Sequence, residues 1–382
     1  MLRPLLCLFL ALPCSLAAQE SVKDTDAGTL DQAVQLSVDG NPEVQAAWHR
    51  FLASLDETRV ARGDFFPDVD LSLRAGHERQ RFVDQDTELR FDPRVVSLSI
   101  TQLIYDGFGT RSEVDRLTEE SRGRYFELLD QIETTTLEAV TAYQDVRRFR
   151  ELVRLASDNL ERHRKVLQQI TERTEAGLSR AVDLEQATAR LALAESNLIT
   201  EQSNLHDVSA RFQRIVGTAP SSRLSSPPDM RTGLPADIRS ALGAAYSENP
   251  GIIAATVGIE SARQNLRGNR ARNHPRVDLR ITGDYGEDFD RIAERSTDAT
   301  AEIVLSYNLF NGLSDRAAID RASDQVDIAK AIRERVCRNV RQTLRIAHND
   351  VQRLADQKRF LDIQKQSVDK ARTAGNGRGK GG

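Results

Sequence analysis

The side chains able to ligate, ionise or attack are scattered along this chain. His163 stands alone in a long helical stretch; His77, His206 and His348 are isolated too. No second histidine or carboxylate recurs at the spacing a metal ion needs, so His163 reads as a tolerated packing residue rather than a ligand. Asp84-Gln85-Asp86 and the run from Asp284 to Asp290 fall in polar loops between alternating segments. They read as solvated loops, with cation binding or repulsion of lipid head groups as the alternative. No phosphate-cradling glycine loop and no nucleophile elbow occurs, so the expectation is no catalytic residue, no cofactor and no metal. The spacing that does carry local chemistry is Gly177, Ser179 and Asp183. The glycine permits a positive φ where one helix ends. The serine is placed to cap the next helix, with the aspartate in its first turn facing the positive end of the helix dipole.

The elements around these residues follow from length, charge and period. The chain has 382 residues, 29% of them charged, and a net charge of −4. So small a charge gives no electrostatic case for nucleic acid. Residues 1–18 differ from the rest: Arg3, a short apolar run from Leu5 to Leu12, then small residues up to Ala18. This pattern is a cleaved secretory signal peptide. A membrane anchor is the alternative, disfavoured because a span needs about 20 apolar residues. Lipidation at Cys14 is disfavoured by Pro13 before it. Cys7 and Cys14 would leave with the signal, and the remaining Cys337 cannot form an internal disulfide. Cys337 lies in helical register and reads as a small apolar packing group. No later segment is apolar enough for a transmembrane helix, so any span must be a β-barrel.

One unit is written twice. The copies begin at Leu30–Val34 and Ile238–Leu242 and reach Asn41-Pro42 and Asn249-Pro250. Each runs through helix-favouring residues to a proline, Pro67 or Pro275, and then to a pair of alternating segments. Val69, Leu71 and Leu73 oppose Asp70, Ser72 and Arg74; Val96, Leu98 and Ile100 oppose Ser97, Ser99 and Thr101. Val277 to Thr282 and Ala301 to Leu309 repeat the pattern, with Val304 the apolar exception. Period two predicts four strands with one apolar and one wet face. A half-buried soluble sheet and a lipid-facing barrel wall both fit that pattern. Residues 218–237, rich in Pro, Ser and Gly, read as a linker. The domain reading is 1–18 signal peptide, 19–217 first repeat, 218–237 linker and 238–382 second repeat.

After each strand pair comes a long stretch with a seven-residue seam. Ile132, Ala139, Val146, Val153, Leu160 and Leu167 form one line; Leu184, Leu191, Leu198, Leu205 and Phe212 form another beyond Gly177. In the second copy Val340, Ala347, Leu354, Leu361 and Val368 continue it. Such repeats predict coiled-coil helices. A helix from about Arg111 to Thr171 would be about 90 Å long, which predicts a rod or tube with a hairpin turn at Gly177. Four strands cannot close a membrane barrel alone, so several chains would share one; three would give twelve strands and a usable lumen.

These pieces, in this order and duplicated, resemble the TolC family of outer-membrane export channels. The resemblance rests on Asn41-Pro42 and Asn249-Pro250, on Pro67 and Pro275, on Tyr105-Asp106-Gly107 and Phe310-Asn311-Gly312, and on the turn region from Arg173 to Ala187. It implies an α+β fold: an outer-membrane β-barrel contribution of four strands continued by long periplasmic coiled-coil helices, the α-barrel, in two internal repeats. It also implies a homotrimer in outer-membrane lipid, docked on a periplasmic adaptor and an inner-membrane transporter, with no enzymatic activity. Gly177, Ser179 and Asp183 would form the adaptor-docking tip. The run from Ile104 to Arg116 is similar to members serving type I protein secretion, with small-molecule efflux as the alternative.

The second copy departs from this pattern. An offset of 205 sets Gly177 opposite Gly382, and the stretch matching Leu178 to Val216 is missing. No gate residue is therefore carried over, and the glycine-rich residues from Thr373 onward are expected not to hold a helix. Two rival readings follow: a periplasmic coiled-coil adaptor or structural rod, and a non-functional truncated channel.

Overall fold

The computed structural model describes residues 27–82, 87–228, 235, 237–288 and 294–378. The signal segment and Asp84 to Asp86 lie outside the described residues. Elements run α1 (Leu30–Gly40), α2 (Pro42–Gly63), β1 (Asp68–Ala75), β2 (Glu78–Phe82), β3 (Thr87–Phe91), β4 (Arg94–Tyr105), α3 (Gly109–Glu175) and α4 (Ala181–Val216). The second copy supplies α5 (Ile238–Glu248), α6 (Pro250–Ala271), β5 (Arg276–Glu287), β6 (Ser296–Ser306) and α7 (Ser314–Arg378). The α+β fold with long helices is the one the sequence predicts.

Two compact units divide the chain. One holds the residues up to Asn41 and Thr136–Pro228; the other holds Pro42–Thr135 and Asp229–Gly382.

In the first unit, Thr29 starts α1 with a reciprocal capping box. Its Oγ1 accepts from the Gln32 N–H at 3.2 Å, and Gln32 Oε1 accepts from the Thr29 N–H at 3.1 Å. The buried face of α1, Leu30, Ala33 and Ser37, meets the seam of α3 at Ala139, Ala142, Tyr143 and Val146 and the end of α4 at Phe212 and Ile215. Alanines at seam positions let these backbones close up, which is why Ala139 and Ala142 lose all exposure. Residues 218–228, a linker by composition, are tied to this core. The Ser225 N–H donates to the Gly28 carbonyl at 2.9 Å, and Arg150 donates to the Ser222 carbonyl at 3.1 Å.

In the second unit the four expected strands form one antiparallel sheet in the order β1-β4-β5-β6, so the two copies join at β4 and β5. Two expectations are corrected here. The loop after β1 holds a further hairpin, β2-β3, whose register sets Phe82, Leu89 and Phe91 on one side and Arg79, Arg81, Glu88 and Arg90 on the other. Strand β6 ends at Ser306 rather than Leu309, since the Asn308 side chain accepts from the Phe310 N–H at 3.0 Å and turns the chain. Helix α7 also corrects the expectation at its far end: it continues through the glycines to Arg378. Each glycine costs only about 1 kcal/mol in a helix, and adding a turn to an existing helix avoids the nucleation cost.

Capping sets the second-copy helices. Asp237 accepts from the N–H groups of Arg239 and Ser240 at 2.7 and 2.8 Å to start α5. Asn249 accepts from the Ile252 N–H at 3.0 Å, with Pro250 opening α6 at a position that needs no N–H. Arg341 of α7 donates to the Tyr246 hydroxyl of α5 at 2.7 Å.

Candidate functional site

Directly opposite residues of an antiparallel sheet point to the same side, so the register sorts the sheet into two faces. On one face lie the rungs Val69–Ile100–Ile281–Ala301, Leu71–Leu98–Gly283–Ala299 and Leu73–Val96–Tyr285–Thr297. On the other lie Asp68–Thr101–Arg280–Glu302, Asp70–Ser99–Thr282–Thr300 and Ser72–Ser97–Asp284–Asp298. The polar face is internally bonded: Ser97 donates to Asp284, and Arg280 pairs with Glu302 at 3.5 Å.

The apolar face has no cover in a single chain. Leu71 is 66% exposed and Ile303 70%, which removes the half-buried soluble sheet as a description of this face. So large an exposed apolar surface marks a contact with something apolar. Strands β1 and β6 are the two edges of the sheet, each presenting unpaired backbone groups on its outer side. No helix among the described residues is long and apolar enough to cross a membrane.

Each strand pair hands over to its long helix through the same turn. Gly107 and Phe108 both take positive φ, 70° and 67°, and Gly312 and Leu313 repeat this at 68° and 67°. Asp106 fixes the first turn by accepting from the Gly109 and Thr110 N–H groups at 3.0 and 2.7 Å. Its counterpart Asn311 instead donates to Asp315 at 2.6 Å. Beyond the first turn, α3 carries a ladder of ion pairs. Arg116 joins Glu113 at 2.6 Å and Glu120 at 2.8 Å, and Arg124 joins Glu127 at 2.9 Å. The hydrogen bond from Arg116 holds the Glu113 carboxyl below the usual range.

The structure brings Gly177, Ser179 and Asp183 into one helical turn region. Gly177 has φ 75°; its N–H donates to the Thr174 carbonyl at 3.0 Å, and the Leu178 N–H donates to the Arg173 carbonyl at 2.7 Å. These two bonds make the Schellman ending, which satisfies carbonyls that the helix would otherwise orphan. The capping expectation is corrected: the residue that starts α4 is Arg180, not Ser179. Ser179 instead donates its hydroxyl to Asp183 at 3.3 Å, and Asp183 accepts from the Arg180 N–H at 3.3 Å. Asp183, the third residue of α4, therefore reaches back to the N–H of the capping residue, the half of a capping box that an acidic third residue supplies. His163, read as a packing residue, lines a cleft of about 380 Å³ with Ser179, Asp183 and Arg190. Leu178 and Val182 stand exposed on the turn at 77% and 62%. Sequence reasoning passed over these two apolar residues; their signal was two bulky apolar side chains in a polar turn.

The helix seam is graded. Ala187 and Ala194 on α4 are buried, whereas Leu354, Leu361 and Val368 on α7 stay exposed.

Comparison with known proteins bears on these surfaces. The sequence model of the family described as outer membrane efflux protein matches the chain twice, over residues 33–218 and 241–377. The outer membrane efflux protein BepC of Brucella suis biovar 1 (strain 1330) is 23% identical over 261 residues, an alignment that spans 67% of this chain and 56% of that protein. The crystal structure of CusC superposes with a TM-score of 0.72 at 14% identity, covering 91% of this chain and 82% of that one. The outer membrane protein VceC of Vibrio cholerae gives 0.68 at 18% identity, over 81% and 75%. These structures share the fold.

Proposed function

This chain belongs to the outer membrane efflux protein family, and from that premise we propose that it is one subunit of a passive export duct through the outer membrane. The single observation that carries the reading is the sheet: one face apolar and exposed, one face polar, and two open edges. Lipid supplies the apolar partner that the chain itself lacks, and the polar face lines water. Backbone groups cannot stay unpaired in hydrocarbon, so β1 of one copy pairs with β6 of the next until the wall closes. Three copies give a twelve-stranded wall, a homotrimer. The helices continue the duct into the periplasm, and the turn at Gly177, Ser179 and Asp183 meets a periplasmic adaptor that links it to an inner-membrane transporter. Leu178 and Val182 give that contact its apolar centre.

The duct provides a path and no chemistry. We propose type I protein secretion as its task, on the similarity of the run from Ile104 to Arg116. Small-molecule efflux is the second reading, favoured by the name of the Brucella relative.

Expression in a strain lacking its own export duct tests both. The expected result is a detergent-dependent, cross-linkable trimer in the outer-membrane fraction and restored release of a secreted polypeptide. Restored resistance to small toxic compounds without secretion selects the second reading. A monomer soluble without detergent ends both.

A further inference from the structure

Four helices each continue one strand of the sheet. Helix α2 runs into β1 and α6 into β5, while α3 leaves β4 and α7 leaves β6. Helices α3 and α6 thus continue the two central strands, and α2 and α7 the two edge strands. The central pair is in contact. A Cβ built at Gly268 of α6 would lie 3.6 Å from the Cβ of Ser112 on α3. One built at Gly123 would lie 4.0 Å from Val257, and one at Gly251 would lie 3.0 Å from the Asp130 carboxylate. All six of these residues are buried or half-buried.

The internal repeat locates the same face on the edge helices. Gly107 and Gly312 lead into α3 and α7 through matching turns, which makes Ala317, Ile328 and Arg335 the equivalents of Ser112, Gly123 and Asp130. Asn41 and Asn249 precede α2 and α6, helices of 22 residues each. Val60, His49 and Glu43 are therefore the equivalents of Gly268, Val257 and Gly251. All six counterparts are exposed, Val60 at 76% and Ile328 at 57%. A face that is covered in the middle of the chain is open on both of its edges.

Resting on the channel reading, we propose that α7 of one copy seats on α2 of the next along this face, and that Arg335 of the one pairs with Glu43 of the other. The charges fit. Inside the chain these two positions hold Asp130 and the Gly251 backbone, which donates its N–H to that carboxylate. Between copies they hold a guanidinium and a carboxylate, the pair whose forked geometry gives two parallel bonds. Arg335 makes no hydrogen bond or ion pair among the described residues. Glu43 is steadied on this edge by Gln131 of α3, which donates to it at 3.3 Å. The shapes fit as well. Inside the chain Ser112 meets Gly268 and Gly123 meets Val257, with a glycine in each pair. Between copies Ala317 meets Val60 and Ile328 meets His49, so the two exposed aliphatic side chains lose water there. The junction between copies is thus ionic where the junction inside a copy is packed by glycine. It joins helices on the same two edges at which β1 and β6 pair.

The test uses the full chain in detergent. Native mass spectrometry of the wild type comes first; a chain that is monomeric and absent from the outer-membrane fraction overturns the channel reading itself. Copies carrying Glu43→Cys and copies carrying Arg335→Cys, each with Cys337→Ser and its own tag, are then coexpressed and treated with a short bismaleimide. A covalent product bearing both tags is expected, and none from either variant alone. Absence of that product from a trimeric protein overturns the junction and leaves the channel reading standing. Charge reversal tests the pair. Arg335→Glu and Glu43→Arg are each expected to make the trimer dissociate about tenfold more readily, because like charges then face each other. The double reversal is expected to restore wild-type dissociation, which a folding defect in either single variant would not allow. Single reversals that dissociate like wild type, or a double reversal no better than the singles, overturn the pair.

Discussion

The hydroxyl of Tyr143, on a wholly buried side chain, lies 2.9 Å from the carbonyl of Ser225 and 3.0 Å from that of Gly28. One aromatic residue on the seam of α3 thus fastens two chain segments nearly 200 residues apart in sequence. Tyr143→Phe keeps the ring and deletes the bond. The expected loss is about 1 kcal/mol, the usual net value of a buried neutral hydrogen bond. The segment from Pro220 to Ser225 should loosen first. Trypsin cleavage after Arg223 is the measurement, and faster cutting in Tyr143→Phe than in wild type is the expected outcome.

The paired turns after the strands make a controlled comparison. Gly107 and Gly312 have nearly the same φ, so alanine at either meets the same left-handed cost of about 1–2 kcal/mol. Their surroundings differ. A Cβ at Gly107 would lie 2.6 Å from the Cβ of His274 and 2.7 Å from the Ala271 carbonyl, whereas one at Gly312 meets nothing within 4 Å. Overpacking adds about 1–3 kcal/mol. Gly107→Ala is therefore expected to be clearly less stable than Gly312→Ala in thermal unfolding followed by circular dichroism. Equal melting temperatures would contradict the close approach at Gly107.

The helices, the four main strands and the hairpin turn were legible because each rests on a period. Leu71 and Ser72 alternate, Ala139 and Val146 fall seven apart, and Gly177 interrupts the seam. Hairpin β2-β3 was not legible, because each strand is only five residues long and Glu78 and Gln80 interrupt the alternation on the side that carries Phe82, Leu89 and Phe91. The extent of α7 was misread because local propensity at Gly375 and Gly377 outweighed helix propagation in the reading. The tip residues were found by spacing, but their bonds were not. Whether Ser179 or Arg180 caps α4 depends on backbone angles that side-chain types do not encode.

Burial pushes the Asp130 carboxyl above the usual range; the Gly251 N–H beside it pulls the other way, and the charge of Glu127 adds to the rise. A raised carboxyl costs the folded state more to ionise than the unfolded state. Stability is therefore greatest at low pH and falls as pH rises through the unfolded value toward the folded one. Asp130→Asn keeps an acceptor for Gly251 and removes the charge. It should be more stable than wild type at pH 7, by at most about 1 kcal/mol because solvent still screens the group. The gain should vanish below about pH 4, where the unfolded carboxyl is protonated as well. Glu133, raised by burial and then by Asp130, should titrate at lower pH in the variant, which NMR of the carboxyl carbons reads directly.

Adjacent residues on β1 separate the apolar face of the sheet from the polar one. Leu71 shares its rung with Leu98, and Asp70 shares its rung with Ser99 and Thr282. The two Cα atoms are neighbours in the chain, so a lysine at either has the same strand propensity and the same backbone. Only the medium differs. If Leu71 faces hydrocarbon, Leu71→Lys should cost about 2–4 kcal/mol per chain in folding from lipid vesicles, the range for a lysine near the middle of a barrel wall. Asp70→Lys meets water and neighbouring carboxylates and should cost less than about 1 kcal/mol. Titration with urea of vesicle-inserted protein gives both values. If Leu71→Lys is tolerated as well as Asp70→Lys, the apolar face is covered by something other than lipid. In that case the strand edges close on a protein partner, and the wall described for the duct does not form.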